Sequence, residues 1–340
     1  MTLSPAPIID LMEAFRRSKA MFAAVSLGVF DALAEGPATA SGLSLRLKTN
    51  AEALERLLDA CVALQLLEHR EGAFMNSPLA DRYLVRSSPD ALTGYIRYSD
   101  DALYPMWAHL DDAVREATPR WNQTFGWSGS LFDNFFQTEE RKREFLMGMH
   151  GLGRWTSPVV VRAFDLSRFK ILADLGGATG HLAIAACEAW PQLRAIVSDL
   201  AEAIPIANEQ IVKSPARDRI SVMAADFFKD DLPAADLYAL GRILHDWQES
   251  RIEMLLSKIF KALPPGGALL IAERLLDEDR SGPLGAYMQS LNMLVCTEGR
   301  ERTFSEYERL LKRAGFINVR GERTGRYLDA VFAEKTAEKN

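Results

Sequence analysis

The chain reads as an α/β protein, with a helical first part of winged-helix type followed by a parallel sheet covered by helices on both faces. Three observations predict this. From Lys170 onward, short apolar runs alternate with helical ones; the first of those runs ends in a glycine-rich turn that opens a helix; and ahead of Lys170 the pattern is helical apart from one short hairpin.

At 340 residues the chain has room for about two domains, each with its own core. Hydrophobic residues make up 48% and charged residues 25%, which excludes disorder. Forty Lys and Arg stand against 46 Asp and Glu, a formal charge of -6, opposite in sign to a general binder of nucleic acid or anionic membrane. The three cysteines, Cys61, Cys187 and Cys296, form no C-x-x-C pair and have no zinc spacing, so no metal site and a reduced, cytoplasmic setting are expected. Met1 to Asp10 lacks a basic patch leading into an apolar core, and no run approaches the roughly 18–20 apolar residues of a membrane span.

Taken in order, Ala20 to Leu33 is apolar nearly all round, as in a helix buried between elements or between subunits. A short polar helix is predicted at Ser41 to Lys48. Asn50 then caps a helix carrying Leu54, Leu57, Leu58, Cys61, Leu64 and Gln65 at helical spacing, and Leu67 to Phe74 reads as a hairpin. That order is the order of a winged helix. The helix that would enter a DNA groove carries Glu52, Glu55 and Asp59 against Arg56, the wrong sign for phosphate contact, so packing and dimerisation are favoured over DNA binding. Pro105 to Trp155 is helical and rich in aromatics and methionine, among them Trp107, Trp121, Phe132, Phe135, Phe136 and Trp155. Most read as core and a minority as lining for a flat, apolar ligand.

Strands are predicted at Ile171–Leu175, Ala195–Asp199, Ile220–Ala224, Leu237–Leu240, Ala268–Glu273, Ile317–Arg320 and Ala330–Ala333. Ile252, Leu255, Leu256, Ile259, Phe260 and Leu263 mark a helix stopped by Pro264-Pro265-Gly266-Gly267. The last helix opens on a capping box, Thr303 to Glu306, and ends at Gly315. The last two strands are expected to form an antiparallel edge.

After the first strand comes Asp174-Leu175-Gly176-Gly177-Ala178-Thr179-Gly180 and then a helix from His181 to Trp190. Glycines there permit a sharp turn and a ligand's approach to converging amides, although a plain strand-to-helix turn has the same look. No P-loop occurs, and G-x-G-x-x-G fails at Ala178 and His181. The acidic-x-Gly-x-Gly-x-Gly form used by S-adenosylmethionine (SAM) methyltransferases fits, with Ala178 in one slot. Asp199 ends the second strand, where a carboxylate accepts ribose hydroxyls, and Asp226-Phe227 follows the third, where acid and ring address adenine. Each acid alone also reads as a solvated strand-end residue. The fourth strand leads into Gly241-Arg242-Ile243-Leu244-His245-Asp246-Trp247, and none of the five histidines is paired at metal-ligand spacing.

The segments LGGATG, ADFFKDDLPAADLY, GRILHDW, LLDEDRSGPL, SLNMLVCTEG and ERTFSEYERLLKRAGF resemble the small-molecule O-methyltransferases that include the plant caffeate enzymes and, most similar, the hydroxyindole type. MFAAVSLGVFDALAEGPATASGLS extends the resemblance into the N-terminal part. It implies a Rossmann-like SAM-methyltransferase sheet with an α-helical winged-helix-type dimerisation domain: a dimerisation domain over 1–100, a helical linker and acceptor-pocket region over 101–165, and a SAM-binding catalytic domain over 166–340. It implies His245 as general base, flanked by Glu273 and Glu301. It places SAM, with S-adenosylhomocysteine as product, against Gly176, Asp199, Asp226, Phe227 and Arg242, and a small aromatic hydroxyl acceptor against Asp246, Asn292 and Cys296. It further implies a homodimer without nucleic-acid or membrane partners. Three departures stand out: Cys296 where the hydroxyindole enzymes have an amide, Gly241-Arg242 where plant relatives have Lys-Trp, and Ala178 for a glycine.

The chemistry agrees with that assignment. A phenol at pKa ~10 and an imidazole at ~6.5 differ by roughly 3.5 units, about 5 kcal/mol against free proton transfer. Concerted removal of the proton during attack avoids that cost, and carboxylates beside the ring raise its basicity. Two other readings share the residues: a relative with drifted hydroxylase or decarboxylase chemistry, and a winged-helix regulator sensing SAM. An intact His245 disfavours the first, and the acidic helix after Asn50 the second.

Overall fold

The computed structural model describes residues 3–128 and 138–337 in two compact units, Met1–Ala102 and Leu103–Asn340. Phe132, Phe135 and Phe136 lie outside the described residues.

The first unit holds helices α1 (Ala6–Leu27), α2 (Val29–Ala34), α3 (Ala40–Leu47), α4 (Ala51–Ala63), α5 (Pro78–Tyr83) and α6 (Thr93–Tyr98), with the hairpin β1 (Leu67–Arg70) and β2 (Ala73–Asn76). The apolar run from Ala20 to Leu33 is two helices, because Gly28 adopts φ 77 and ends the first while opening the second. Thr39 and Asn50 cap α3 and α4 through side-chain oxygens that accept the amides of Gly42 and Ala53. Phe30, Leu43, Leu54, Leu58 and Phe74 close the core, each buried side chain contributing about 1.5–3 kcal/mol. On α1, by contrast, Ile8, Leu11, Met12 and Phe15 are exposed.

The second unit opens with α7 (Tyr104–Trp107), α8 (Leu110–Glu116), α9 (Trp121–Phe125) and the long α10 (Glu139–Val160). Its sheet strands are β3 (Ile171–Leu175), β4 (Arg194–Asp199), β5 (Ile220–Ala224), β6 (Leu237–Gly241), β7 (Ala268–Glu273), β10 (Ile317–Glu322) and β11 (Asp329–Glu334). Between them run α11 (His181–Ala189), α12 (Ile204–Ile211), α13 (Glu249–Ala262), α14 (Leu284–Cys296) and α15 (Phe304–Arg313). The strand order is β10-β11-β7-β6-β3-β4-β5, parallel from β3 to β7, with β11 antiparallel to β7 and β10 antiparallel to β11. Neighbouring residues of one strand serve opposite cores: Leu172 packs with Val197 and Leu270, and Ala173 with Tyr238 and Ile271. Burial on both faces makes the central strands β3, β6 and β7 nearly continuous apolar runs, which is why they were legible as such.

The helical stretch after Leu103 belongs to this unit. The Trp121 indole donates to the Cys296 carbonyl at 2.8 Å and the Arg120 amide to that of Val295 at 2.8 Å, fastening α9 to the end of α14. Trp155 is exposed at 42%, not core. One pairing carries no sequence signal: β8 (Leu275–Leu276) runs parallel to β9 (Arg302–Thr303), two residues each, too short for periodicity. The capping box is present, Thr303 accepting from the Glu306 amide and Glu306 from that of Thr303.

Candidate active site

The order reverses at β3, which has β4 on one side and β6 on the other, so the segments leaving β3 and β6 diverge and open a crevice at their carboxyl ends. Into it projects the turn Gly176–Gly180. Gly176 has φ 67, and a Cβ there would stand 2.4 Å from the Ile243 side chain and 3.4 Å from the Phe227 ring. A Cβ on Gly177 would stand 2.8 Å from Asp174 Oδ2 and 2.9 Å from Val197. Both glycines therefore keep the backbone bare where two loops meet. Ala178, despite its side chain, takes φ 50.

Asp199 is built into the turn. Its Oδ2 accepts the Ala178 amide at 2.7 Å and its Oδ1 the Leu200 amide at 2.7 Å, which leaves each oxygen a lone pair for a further donor. Burial pushes its carboxyl up to about 6, against the pull of those two amides. Asp226 is folded onto its own loop, accepting the Phe228 amide at 2.9 Å and pairing with Lys229 at 2.9 Å. Burial works upward on it, but these contacts outweigh burial and hold the carboxyl below its usual range.

The second wall follows β6. Arg242 has φ 58, its amide donates to the Ala272 carbonyl at 2.9 Å, and its guanidinium lies 3.1 Å from Met149 Sδ of α10. A single turn of 3-10 helix, Leu244–Asp246, then presents His245. Glu273, the last residue of β7, accepts the Ile243 and Leu244 amides on Oε1 at 3.0 and 2.9 Å, so the strand end below holds the turn's start. Its Oε2 lies 3.3 Å from His245 Nδ1, and Glu301 Oε1 lies 2.7 Å from the same nitrogen. The other ring nitrogen, Nε2, is 3.6 Å from Asp246 Oδ1.

Glu301 and Glu273 are buried, at 0% and 1% exposure. Burial pushes the Glu301 carboxyl up to about 8, moderated by Arg242, Arg274 and Arg302. It pushes Glu273 to about 7, moderated by His245, and Asp246 to about 6, moderated by His245 and Arg242. Removal from water thus raises the proton affinity of all three carboxyls, and the neighbouring cations and the His245 ring oppose that rise. Among the described residues, His245, Glu273 and Glu301 also form the one group whose ligand-type atoms all lie within 4.8 Å of one another.

On α14, Asn292 Oδ1 accepts the Trp107 indole N–H at 2.9 Å. An indole can only donate, so the amide's Nδ2 faces Cys296, 3.7 Å from its sulfur. The Cys296 thiol turns back to the Asn292 carbonyl at 2.9 Å, and burial raises its pKa strongly.

Of the eleven predicted site residues, the structure draws His245, Glu273, Glu301 and Asp246 into one cluster and places Arg242 among their charges. Gly176, Asp199 and Phe227 meet around the glycine turn, while Asp226 stands beside it and Asn292 and Cys296 share one helix. Sequence reasoning overlooked Arg302 and Gly299, which bear on the His245 turn, and the partner of Asn292. It also overlooked two pairs tying α10 to the glycine turn and α11: His150 with Thr179 at 2.8 Å, and Ser157 with His181 at 2.9 Å. A histidine in each of LGGATGHL and the helix before it was the available signal, and without register it pointed nowhere.

Comparison with known proteins identifies the family. An O-methyltransferase domain model matches residues 107–317, and an O-methyltransferase dimerisation domain model residues 9–86. The chain is 42% identical over 338 residues to acetylserotonin O-methyltransferase of Gallus gallus, covering 97% of each protein, and 42% identical over 328 residues to that of Bos taurus, covering 94% of this chain and 95% of the other. The crystal structure of human N-acetylserotonin methyltransferase in complex with SAM superposes with a TM-score of 0.94 at 38% identity, covering 99% of each chain. Among the described residues no helix is long and apolar enough to cross a membrane. With both domain models matched in their order along the chain, this protein belongs to the SAM-dependent O-methyltransferases, close to the acetylserotonin type.

Proposed function

We propose that the chain transfers a methyl group from SAM to a hydroxyl of a small aromatic acceptor, a hydroxyindole such as N-acetylserotonin or another phenol, with His245 as general base. The observation that carries this is the 2.7 Å contact between His245 Nδ1 and Glu301, made between two buried side chains. A carboxylate there takes the Nδ1 proton in a hydrogen bond and leaves the Nε2 lone pair free, on the side where Asp246 lies.

Bound SAM supplies a methyl carried on a positively charged sulfur. The residues that would hold it are Gly176, with the backbone bare, Asp199, with lone pairs left for ribose hydroxyls, Phe227 beside Gly176 for the adenine face, and with them Asp226 and Arg242. They fit, since the Asp199 carboxylate keeps a lone pair on each oxygen beside a turn in which Gly176 and Gly177 leave no room for side chains. His245 Nε2 takes the acceptor's proton as its oxygen attacks, and the imidazolium that results is stabilised by Glu301 and Glu273. Asp246, Asn292 and Cys296 orient the acceptor, with the Asn292 amide fixed by Trp107 of the 101–165 acceptor-pocket region.

A second copy of the chain is the partner expected for the dimerisation domain, supported by the exposed Ile8, Leu11, Met12 and Phe15 of α1; sedimentation as a monomer would refute it. A cytoplasmic setting is supported by three free, buried cysteines and is checked by cell fractionation.

The test is labelled-methyl transfer onto N-acetylserotonin, catechols, phenazines and polyketide phenols, with His245→Ala beside the wild type. Transfer to at least one phenol is expected, reduced by orders of magnitude in the variant with SAM affinity unchanged. Equal rates in both proteins would end the general-base assignment.

A further inference from the structure

In the motif Glu301-Arg302-Thr303 the glutamate meets the His245 ring and the threonine caps a helix. Arg302 lies between them at 1% exposure, the largest fully buried side chain among the described residues. Removing a guanidinium from water is costly, and in a site that needed only bulk an apolar residue would serve as well. Its partners give the reason. Nη1 donates to the Leu244 carbonyl at 3.2 Å and to that of Arg300 at 2.9 Å, and Nη2 donates to the Trp247 carbonyl at 3.2 Å. Leu244 and Trp247 bracket the turn that presents His245.

The same segment touches that turn in two more places. Glu301 holds the ring at Nδ1. Gly299 lies so near the turn's backbone that a Cβ on it would stand 2.1 Å from the His245 carbonyl oxygen and 2.6 Å from Asp246 C and Trp247 N. The segment's own position is set by β9, which pairs in parallel with β8, just past Glu273. We propose that Arg302, with Gly299, is a positioning residue for the base: it grips the carbonyls on both sides of the His245 turn and so fixes the backbone from which the ring reaches Glu301.

This rests on His245 being the base. It adds that the base is held at three levels, with Glu273 on the turn's amides, Arg302 on its carbonyls and Glu301 on the ring. A placement error near 1 Å costs on the order of 100-fold in rate. Arg302→Met keeps bulk and removes the donors. It is expected to lower kcat at least 100-fold while leaving the KM for SAM within about threefold, with Arg302→Lys, which retains the charge and gathers its donors on a single nitrogen, restoring part of the loss. The titratable and charged groups around His245 and its two glutamates are Asp246 and Arg242, and beside the glutamates Arg274, Arg302 and, from α15, Tyr307. Losing the Arg302 cation therefore moves the acid limb of kcat against pH upward, as Glu301 keeps its proton to higher pH. Gly299→Ala displaces the turn without changing charge, so it is expected to lower kcat and leave that limb in place.

Proton NMR of the free enzyme supplies a readout apart from turnover. The His245 Nδ1–H resonance, identified by its loss in His245→Gln, is expected to shift or broaden in Arg302→Met and in Gly299→Ala. An Arg302→Met protein with wild-type kcat, pH limb and resonance would overturn the proposal even where His245→Ala is inactive. Wild-type activity in His245→Ala would instead overturn the base assignment, leaving the resonance to judge the clamp alone. Should Arg302→Met fail to fold, Arg302→Lys and Gly299→Ala decide: both with wild-type kcat and resonance refute it.

Discussion

Glu301 Oε1 meets His245 Nδ1 at 2.7 Å although 56 residues separate them, and each reaches the contact from a different loop at the end of the sheet. The pair joins the strongest sequence motif of the molecule to one that reads on its own as the prelude to a helix. Replacing the carboxylate by an amide is the direct test. In Glu301→Gln the new NH2 can face Nδ1, which then accepts and leaves the proton on Nε2, where the base must be empty. We expect kcat to fall by about 10²–10⁴ with SAM affinity retained, measured by single-turnover methyl transfer and calorimetry.

The glycine turn is tested separately from the chemistry. Gly177→Ala places a methyl 2.8 Å from Asp174 Oδ2 and 2.9 Å from Val197. The turn must shift, and the Ala178 amide that Asp199 accepts shifts with it. A loss of SAM affinity of at least about tenfold is expected, with the far-ultraviolet circular dichroism of the wild type.

Trp107→Phe removes the donor that fixes the Asn292 amide. A buried amide oxygen left without its partner costs about 1–3 kcal/mol, and the amide becomes free to turn. The expected result is a rise in acceptor KM of roughly five- to a hundredfold with the SAM KM unchanged; steady-state kinetics on the best phenol checks it.

His150 is buried, 2.8 Å from Thr179 of the glycine turn, with Arg154 and Lys213 adding positive charge and His181 close by. Burial first, then those cations, lowers its pKa to about 4. An unfolded histidine binds its proton near 6.5, so between about 6.5 and 4 the unfolded chain holds more protons and stability falls as pH falls, by about 1.4 kcal/mol per pH unit. The raised carboxyls of Glu273 and Glu301 act in the opposite sense, so the comparison must be between proteins. The Tm gap between wild type and His150→Asn is expected to narrow from pH 6.5 to pH 4.5, as measured by calorimetry.

The sheet strands, their alternation with helices, the Asn50 cap and the final capping box were all legible in the sequence, because each is written in neighbouring residues. Alternating cores on the two sheet faces make β3, β6 and β7 nearly continuous apolar runs, and Asn50 or Thr303 acts within three residues of itself. The motif residues of the crevice were also legible, since the carboxyl ends of parallel strands fall on one edge once the order is known. What the tertiary structure alone decided is how those residues are held. The split at Gly28 follows from one backbone angle, the attachment of α9 to α14 from carbonyls of Val295 and Cys296, and the grip of Arg302 on the His245 turn from a two-residue strand pair with no period to read. The proton affinities of Glu273 and Glu301 belong to the same class: composition counts them among 46 acids, and only their removal from water raises them above the ordinary carboxylate range.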